Sequence, residues 1–529
     1  MLTIQDLSYT HPNKEVLFSN ISMVVNPSEK IALIGNNGTG KSTLLKIIAG
    51  KLEPSAGTLK VETQPLYVPQ VVGQYHHLTI AEALGIDKKL KALHEILSGN
   101  ISEENYEAID NDWTIEMRCA EAFQYWQLDY PDLWQSMGTL SGGQMTKLFL
   151  AGIMIHQPDL VLMDEPSNHL DMEGRKLLYD YVDNSKQTMV IVSHDRKLLN
   201  LLETVCEMDK NGISVYGGNY DFYSVQKALE ANALVQNIQN KQKALKKAQV
   251  KERETLERQQ KSDSRGKKNA VKAGLPKIAA NTLRNNAQRS TAKLASVHNE
   301  KTGGIRQELQ DLRSSLPDTD QMKFGFDNSS LHKGKILFKA TEINVSFNRL
   351  QYLWEQDLSV EVLSGERIAI KGLNGSGKTT LIKLIIGTLE PTRGTVYRAA
   401  SQPVYIDQQY SLIDDRMAVY GQAQQFNTSA LQEHEVKIRL NRFLFTKESW
   451  DKPCSALSGG ERMRLMLCCL SIGQKAPDMI ILDEPTNNLD IRNIEILTQA
   501  ISEYSGTLVV ISHDETFMEQ VGIGREISL

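Results

Sequence analysis

The sequence predicts an α/β protein made of two copies of one strand–loop–helix domain, joined by a long basic helical hairpin. Three observations predict it. A set of short motifs occurs twice, in one order and at nearly constant spacing. Each copy opens on a Gly-rich loop set between a buried-strand pattern and a helical one. The segment between the copies differs in composition, being basic and rich in helix formers.

The chain has 529 residues, of which 41% are hydrophobic and 23% charged. That is ordinary for a soluble protein of several domains and excludes wholesale disorder. No apolar run approaches the ~18–20 residues of a membrane-spanning helix. Runs such as Leu508-Val509-Val510-Ile511 suit buried strands. Met1-Leu2-Thr3-Ile4-Gln5-Asp6 shows no secretory signal, so a cytoplasmic location is expected. The cysteines are Cys119, Cys206, Cys454, Cys468 and Cys469, without a CxxC pair. That points to a reducing compartment and away from disulfides, zinc and iron–sulfur clusters.

Lys30-Ile31-Ala32-Leu33-Ile34 is the strand before the first loop, and Ser42-Thr43-Leu44-Leu45-Lys46-Ile47-Ile48 is helical after it. The loop runs Gly35-Asn36-Asn37-Gly38-Thr39-Gly40-Lys41-Ser42 and recurs as Gly372-Leu373-Asn374-Gly375-Ser376-Gly377-Lys378-Thr379. Leu140-Ser141-Gly142-Gly143 recurs as Leu457-Ser458-Gly459-Gly460, and Asp164-Glu165-Pro166 as Asp483-Glu484-Pro485. Lys41 to Gln70 spans 29 residues and Lys378 to Gln408 spans 30; Asp164 to His194 and Asp483 to His513 both span 30. From the lysine to the signature serine the distance is 100 residues in the first copy and 80 in the second. The first copy therefore carries an insertion, expected within 85–115. The domains are read as 1–220, 221–335 and 336–529.

The loop is a phosphate-binding P-loop. Its glycines let successive N–H groups curl around anionic oxygens at a helix N-terminus. Lys41 and Lys378 are expected at the β/γ-phosphates, and Ser42 and Thr379 at Mg²⁺, with Thr43 and Thr380 completing the loops. Asp164 and Asp483 end apolar strands and suit the Mg²⁺ shell. Glu165 and Glu484 are the candidate bases that position water. A lone histidine is usually a surface or core residue. His194 and His513 follow strands at identical distances from the aspartates, which favours a γ-phosphate contact. Gln70 and Gln408 share their spacing and are expected at nucleotide and metal.

P-loop, Gln loop, Leu-Ser-Gly-Gly signature, Asp-Glu and histidine switch, in this order, resemble the ATP-binding-cassette ATPases. The resemblance implies two cassettes meeting head to tail. Each ATP would lie between the P-loop of one and the signature, Ser141-Gly142-Gly143 or Ser458-Gly459-Gly460, of the other. Tyr9 and Phe347 resemble the adenine-stacking aromatics. Glu165-Pro166-Ser167-Asn168-His169-Leu170-Asp171 and Glu484-Pro485-Thr486-Asn487-Asn488-Leu489-Asp490 resemble the ABC-F group, which has tandem cassettes, a basic helical linker and no membrane domain. That implies a monomeric ATPase on ribosomes, its linker in the tRNA exit site near rRNA and peptidyl-tRNA. It would serve as a translation factor or protect against ribosome-targeting antibiotics. Many ABC-F translation factors have a longer arm in cassette 1 than the insertion here.

In the linker, residues 241–300 hold sixteen Lys/Arg against five Asp/Glu, a local +11 in a chain of net −5. Lys246, Lys247, Lys251, Arg253, Arg258, Lys261, Arg265, Lys267 and Lys268 are expected to meet RNA phosphates; the bland alternative is a solvated charged coiled coil. A first helix is expected over 222–260, about 35 residues of it reaching ~50 Å. Gly266, Gly274 and Pro276 then punctuate the tip. A second helix carries Ile305, Leu309, Leu312 and Leu316, interrupted at Gly303-Gly304. Two other functions fit the cassettes: the motor subunit of a membrane transporter, which leaves the basic linker unused, and a repair or recycling ATPase, whose usual zinc or cluster cysteines are missing.

Overall fold

The computed structural model describes the chain apart from residues 130, 273–295, 297–299, 314–331, 348–350, 402, 429, 474–476 and 488. It resolves into two bodies, Met1–Asp221 with Gln321–Leu529, and Phe222–Asp320. The first contains both cassettes.

Cassette 1 begins with β1 (Leu2–Thr10), β2 (Val16–Val25) and β3 (Lys30–Ile34), followed by α1 (Lys41–Ile48), β4 (Ala56–Val61) and β5 (Leu66–Val68). Helices α2 (Ile80–Leu84), α3 (Asp87–Leu97), α4 (Glu103–Ile109), α5 (Ile115–Tyr125) and α6 (Gly142–His156) come next. Then follow β6 (Leu160–Asp164), α7 (Met172–Asn184), β7 (Thr188–Val192), α8 (Arg196–Asn200), β8 (Thr204–Met208) and β9 (Ile213–Tyr216). The core sheet runs β5-β6-β7-β3-β8-β9, parallel except for the β8–β9 pair. Strands β6 and β7 are buried at every residue, as their unbroken apolar runs require. An antiparallel sheet β2-β1-β4 packs Leu2, Ile4 and, past a register shift, Leu7 into the same core.

Helix α9 (Tyr220–Lys272) follows, and residues 300–313 form α10. Helix α9 has 53 residues, ~80 Å at 1.5 Å per residue, well beyond the expected reach. Gly266 lies within it: one glycine costs only ~1 kcal/mol amid good helix formers. Gly303 and Gly304 are likewise helical and do not interrupt α10. Ile238 and Leu309 are buried, and Lys241 pairs with Glu308. The tip residues Gly274, Leu275, Pro276 and Ile278, with Leu316, lie outside the described residues.

Cassette 2 repeats the plan with β10 (Ile336–Asn344), β11 (Leu358–Leu363), β12 (Arg367–Lys371), α11 (Lys378–Ile386), β13 (Arg393–Arg398) and β14 (Pro403–Ile406). It continues with α12 (Val419–Gln425), α13 (Glu433–Arg442), α14 (Gly459–Ile472), β15 (Met479–Asp483), α15 (Ile491–Glu503), β16 (Thr507–Ile511), α16 (Glu515–Gln520) and β17 (Arg525–Ser528). Its core sheet, β14-β15-β16-β12-β17, is parallel throughout. Between the bridges Thr79–Ser136 and Ala418–Pro453, the described residues hold four α-helices in cassette 1 and two in cassette 2. The insertion is thus the α3–α4 pair. No described helix is long and apolar enough to cross a membrane.

Candidate functional site

In each cassette the P-loop leaves the central strand and turns into α1 or α11. Gly40 has φ 99° and a Cβ there would lie 2.7 Å from the Phe18 ring; Gly377 has φ 95° and would meet Trp354 at 2.8 Å. Only glycine fits either position. Lys41 Nζ donates to the carbonyls of Gly35 at 2.7 Å and Asn36 at 3.0 Å. Lys378 Nζ does the same to Gly372 at 2.7 Å and Leu373 at 3.0 Å. Burial lowers the pKa of both ammoniums, so each is a partly desolvated cation held inside its loop.

The carboxylates stand beside the loops. Ser42 Oγ donates to Asp164 Oδ1 at 3.0 Å, and Tyr67 OH to Asp164 Oδ2 at 3.0 Å. Tyr405 OH donates to Asp483 Oδ2 at 2.8 Å. Burial raises the pKa of both aspartates. The following glutamates have φ of 51° and 49°, a turn that throws their side chains toward the next strand's end. Glu165 N–H donates to Val192 O and Glu484 N–H to Ile511 O, both at 2.8 Å. His194 Nε2 lies 3.3 Å from Glu165 Oε1, and His513 Nε2 lies 3.2 Å from Glu484 Oε1. Burial pushes Glu165 up to about 8 and Glu484 to about 7, and takes His194 down to about 3 and His513 to about 4. Both imidazoles are therefore neutral. Glu165 Oε1, both Glu484 oxygens and Nδ1 of each histidine are buried without a hydrogen bond of good geometry. Orphaned polar atoms of this kind mark a place for a polar ligand.

A cavity of about 350 Å³ joins these groups in cassette 1, bounded by Asn37, Gly38, Lys41, Thr43, Gln70, Asp164, Glu165 and His194. That is of ligand-pocket size. A second, of about 740 Å³, is bounded by Ser141 and Gly143 of cassette 1 and by Asn374 and Gly375 of cassette 2. It brings a signature against the opposite P-loop. Ser141 and Ser458 cap α6 and α14 in capping boxes with Gln144 and Glu461, which leaves the helix N-termini at the signature. Asn374 Nδ2 donates to His169 O at 3.3 Å, and Asn37 N–H donates to Asp490 Oδ2 at 3.0 Å. Asp490 also accepts from Asn493, against which Gly460 packs.

Tyr9 does not line the first cavity. It packs against His11 at 5.6 Å between ring centroids and Phe18 at 6.2 Å, and His11 lines the cavity instead. Phe347 is 72% exposed, and Gln408 is exposed as well. Lys246, Lys247, Lys251, Arg253, Arg258, Lys261 and Arg265 are exposed on α9; the side chains of Lys267 and Lys268 are outside the described residues. Sequence reasoning missed Tyr67, Tyr405, His11 and the contact of Asp490 with Asn37. The two tyrosines were within reach, since each precedes its loop glutamine by three residues.

Comparison with known proteins agrees with this geometry. The family model described as ABC transporter matches residues 18–168 and 356–487. ATP-binding protein Uup of Haemophilus influenzae is 30% identical over 95% of this chain and 75% of its own length. ABC transporter F family member 2 of Arabidopsis thaliana is 28% identical over 98% and 75%. Among solved structures, the archaeal ribosome recycling factor aABCE1 in complex with the ribosomal stalk protein aP1 matches with a TM-score of 0.59 at 20% identity, covering 99% of this chain and 87% of that one. That last likeness is one of fold.

Proposed function

We propose for this chain, which belongs to the ATP-binding cassette family and is an ATPase of its ABC-F group, a role on the ribosome, in the cytoplasm. ATP bound at both P-loops draws the cassettes together, and hydrolysis releases them and moves the linker in the tRNA exit site. Lys41 and Lys378 offset charge on the β/γ-phosphates. Glu165 and Glu484 orient the attacking water, and neutral His194 and His513 reach the γ-phosphate. The signature helices of the opposite cassette cap that phosphate with N–H groups. The hydroxyl, amide and carboxylate oxygens of Ser42, Thr379, Gln70, Gln408, Asp164 and Asp483 suit Mg²⁺, a hard cation that offsets phosphate charge when bound. The orphaned Glu165 Oε1 and Glu484 carboxylate fit such a ligand.

The ribosomal part is carried by one observation: the exposed cations of α9 on an otherwise acidic protein. Charge reversal at Lys246, Lys247, Lys251 and Arg253 is expected to weaken ribosome co-sedimentation by about two orders of magnitude at moderate salt, and to lower the log–log salt slope by roughly 0.7–0.9 per lost contact. ATPase activity without ribosomes should persist. Translation assays with and without drugs then separate antibiotic protection from rescue. Unchanged sedimentation at every salt concentration, with recovery in membranes instead, favours the transporter-motor reading.

A further inference from the structure

Along one stretch of the seam between the cassettes, cations of cassette 1 meet acids of cassette 2, with Asp195 of cassette 1 and Arg492 of cassette 2 beside them. Arg196, the first residue of α8, donates to Glu495 of α15 at 3.1 Å. Its neighbour Lys197 pairs with Glu515, the first residue of α16. Arg175 of α7 is buried and lies 3.5 Å from Asp195, within electrostatic reach of Asp514 across the seam. All three cations belong to cassette 1; Glu495, Asp514 and Glu515 belong to cassette 2.

These pairs are not repeats of one another. Aligning Asp171 with Asp490 and His194 with His513 sets Arg196 at the position of Glu515, Lys176 at that of Glu495 and Arg175 at that of Ile494. Two copies of cassette 1 in this arrangement would set Arg196 against Lys176 and Lys197 against Arg196. Two copies of cassette 2 would set Glu515 against Glu495. An exposed ion pair adds little affinity, but like charges held face to face discriminate strongly between partners.

We propose that this seam is a pairing code, which admits cassette 2 as the partner of cassette 1 and rejects a second copy of either, so that ATP-driven closure joins unlike cassettes only. The proposal rests on the reading that the cassettes close on ATP. Its test uses the full chain carrying Glu165→Gln and Glu484→Gln, with ATP as the probe and the ATP concentration for half-maximal trapping as the readout. Adding Glu495→Lys and Glu515→Arg writes cassette 1's own residues into cassette 2. That concentration should then rise about tenfold or more, and the rise should shrink with added salt as the charges are screened. Further adding Arg196→Glu and Lys197→Glu gives the mirrored set, in which both pairs are reversed, and should restore trapping to within about threefold. A thermal melt reports whether each variant folds. The milder Arg196→Gln and Glu495→Gln serve where one does not: each alone should cost about threefold, and together no more than either alone. No effect of the first set, a mirrored set as impaired as the first at every salt concentration, or additive losses in the mild pair overturns the proposal. If the parent itself fails to trap ATP, the closure reading fails, and the pairing code with it.

Discussion

Cassette 1 inserts α3 and α4 where cassette 2 passes directly from α12 to α13, yet the two place their acidic groups alike. Asp164 pairs in register with Val192 and Asp483 with Ile511, in each case across two parallel strands that are buried along nearly their whole length. The Glu–His distances differ by only 0.1 Å, 3.3 against 3.2 Å. The chemistry is thus fixed by the sheet, where a one-residue slip would turn every side chain to the other face. The helical layer outside it is free to diverge. The cassettes also differ where they meet: the cations Arg175, Arg196 and Lys197 lie on one side only.

The largest effect should come from the groups the cassettes share. Glu165→Gln with Glu484→Gln is expected to lower steady-state ATPase by about 10³-fold while ATP stays bound, within the range general-base losses span. Near-parental turnover would remove both glutamates from their assigned role. The single variants then show whether the sites are equal: equal halves support the symmetry of the sheet, and unequal ones give weight to the uneven seam. Next in size, Lys41→Ala and Lys378→Ala should each weaken nucleotide binding at their own site by about tenfold or more, because each removes the cation held inside its loop. Titration with one site blocked measures this, and unchanged affinity would contradict it.

The aromatic candidates of the two cassettes offer a finer contrast. His11 lines the cavity of cassette 1, whereas Phe347 stands exposed in cassette 2. His11→Ala should weaken ATP binding at site 1 by about three- to tenfold, the size of one ring contact, and Phe347→Ala should do less at site 2. Larger loss from Phe347→Ala would reverse the contrast. The smallest change in rate is expected from replacing residues 87–109 with a short loop. Turnover should stay within about twofold, although exposing the face that Leu90, Leu93 and Ile109 cover should lower Tm by several degrees. A large loss of turnover would show that the helical layer reaches the chemistry after all.

The twofold repetition made most of this site legible. Repeated spacing singled out Glu165, Glu484, His194 and His513, and the structure brings each pair within 3.3 Å. Repetition is silent where the copies touch each other. Asp490 acts on Asn37 across 453 residues of chain, and no local pattern carries that distance. Tyr9 lies on β1 and packs against Phe18, whereas His11 lies just past the strand's end and lines the cavity, where strand periodicity no longer marks a position. Gly266 reads as a stop signal in the sequence, yet α9 runs through it because the residues around it favour helix.

Arg196 has a second engagement beyond Glu495: it lies over the ring of Tyr220 at 5.9 Å, and Tyr220 is the first residue of α9. The next residue, Asp221, is tied by its N–H to Asn200 Oδ1 at 2.9 Å. One guanidinium thus serves two neighbours, a carboxylate of the other cassette and the ring that opens α9, so anything that draws Arg196 toward one loosens its hold on the other.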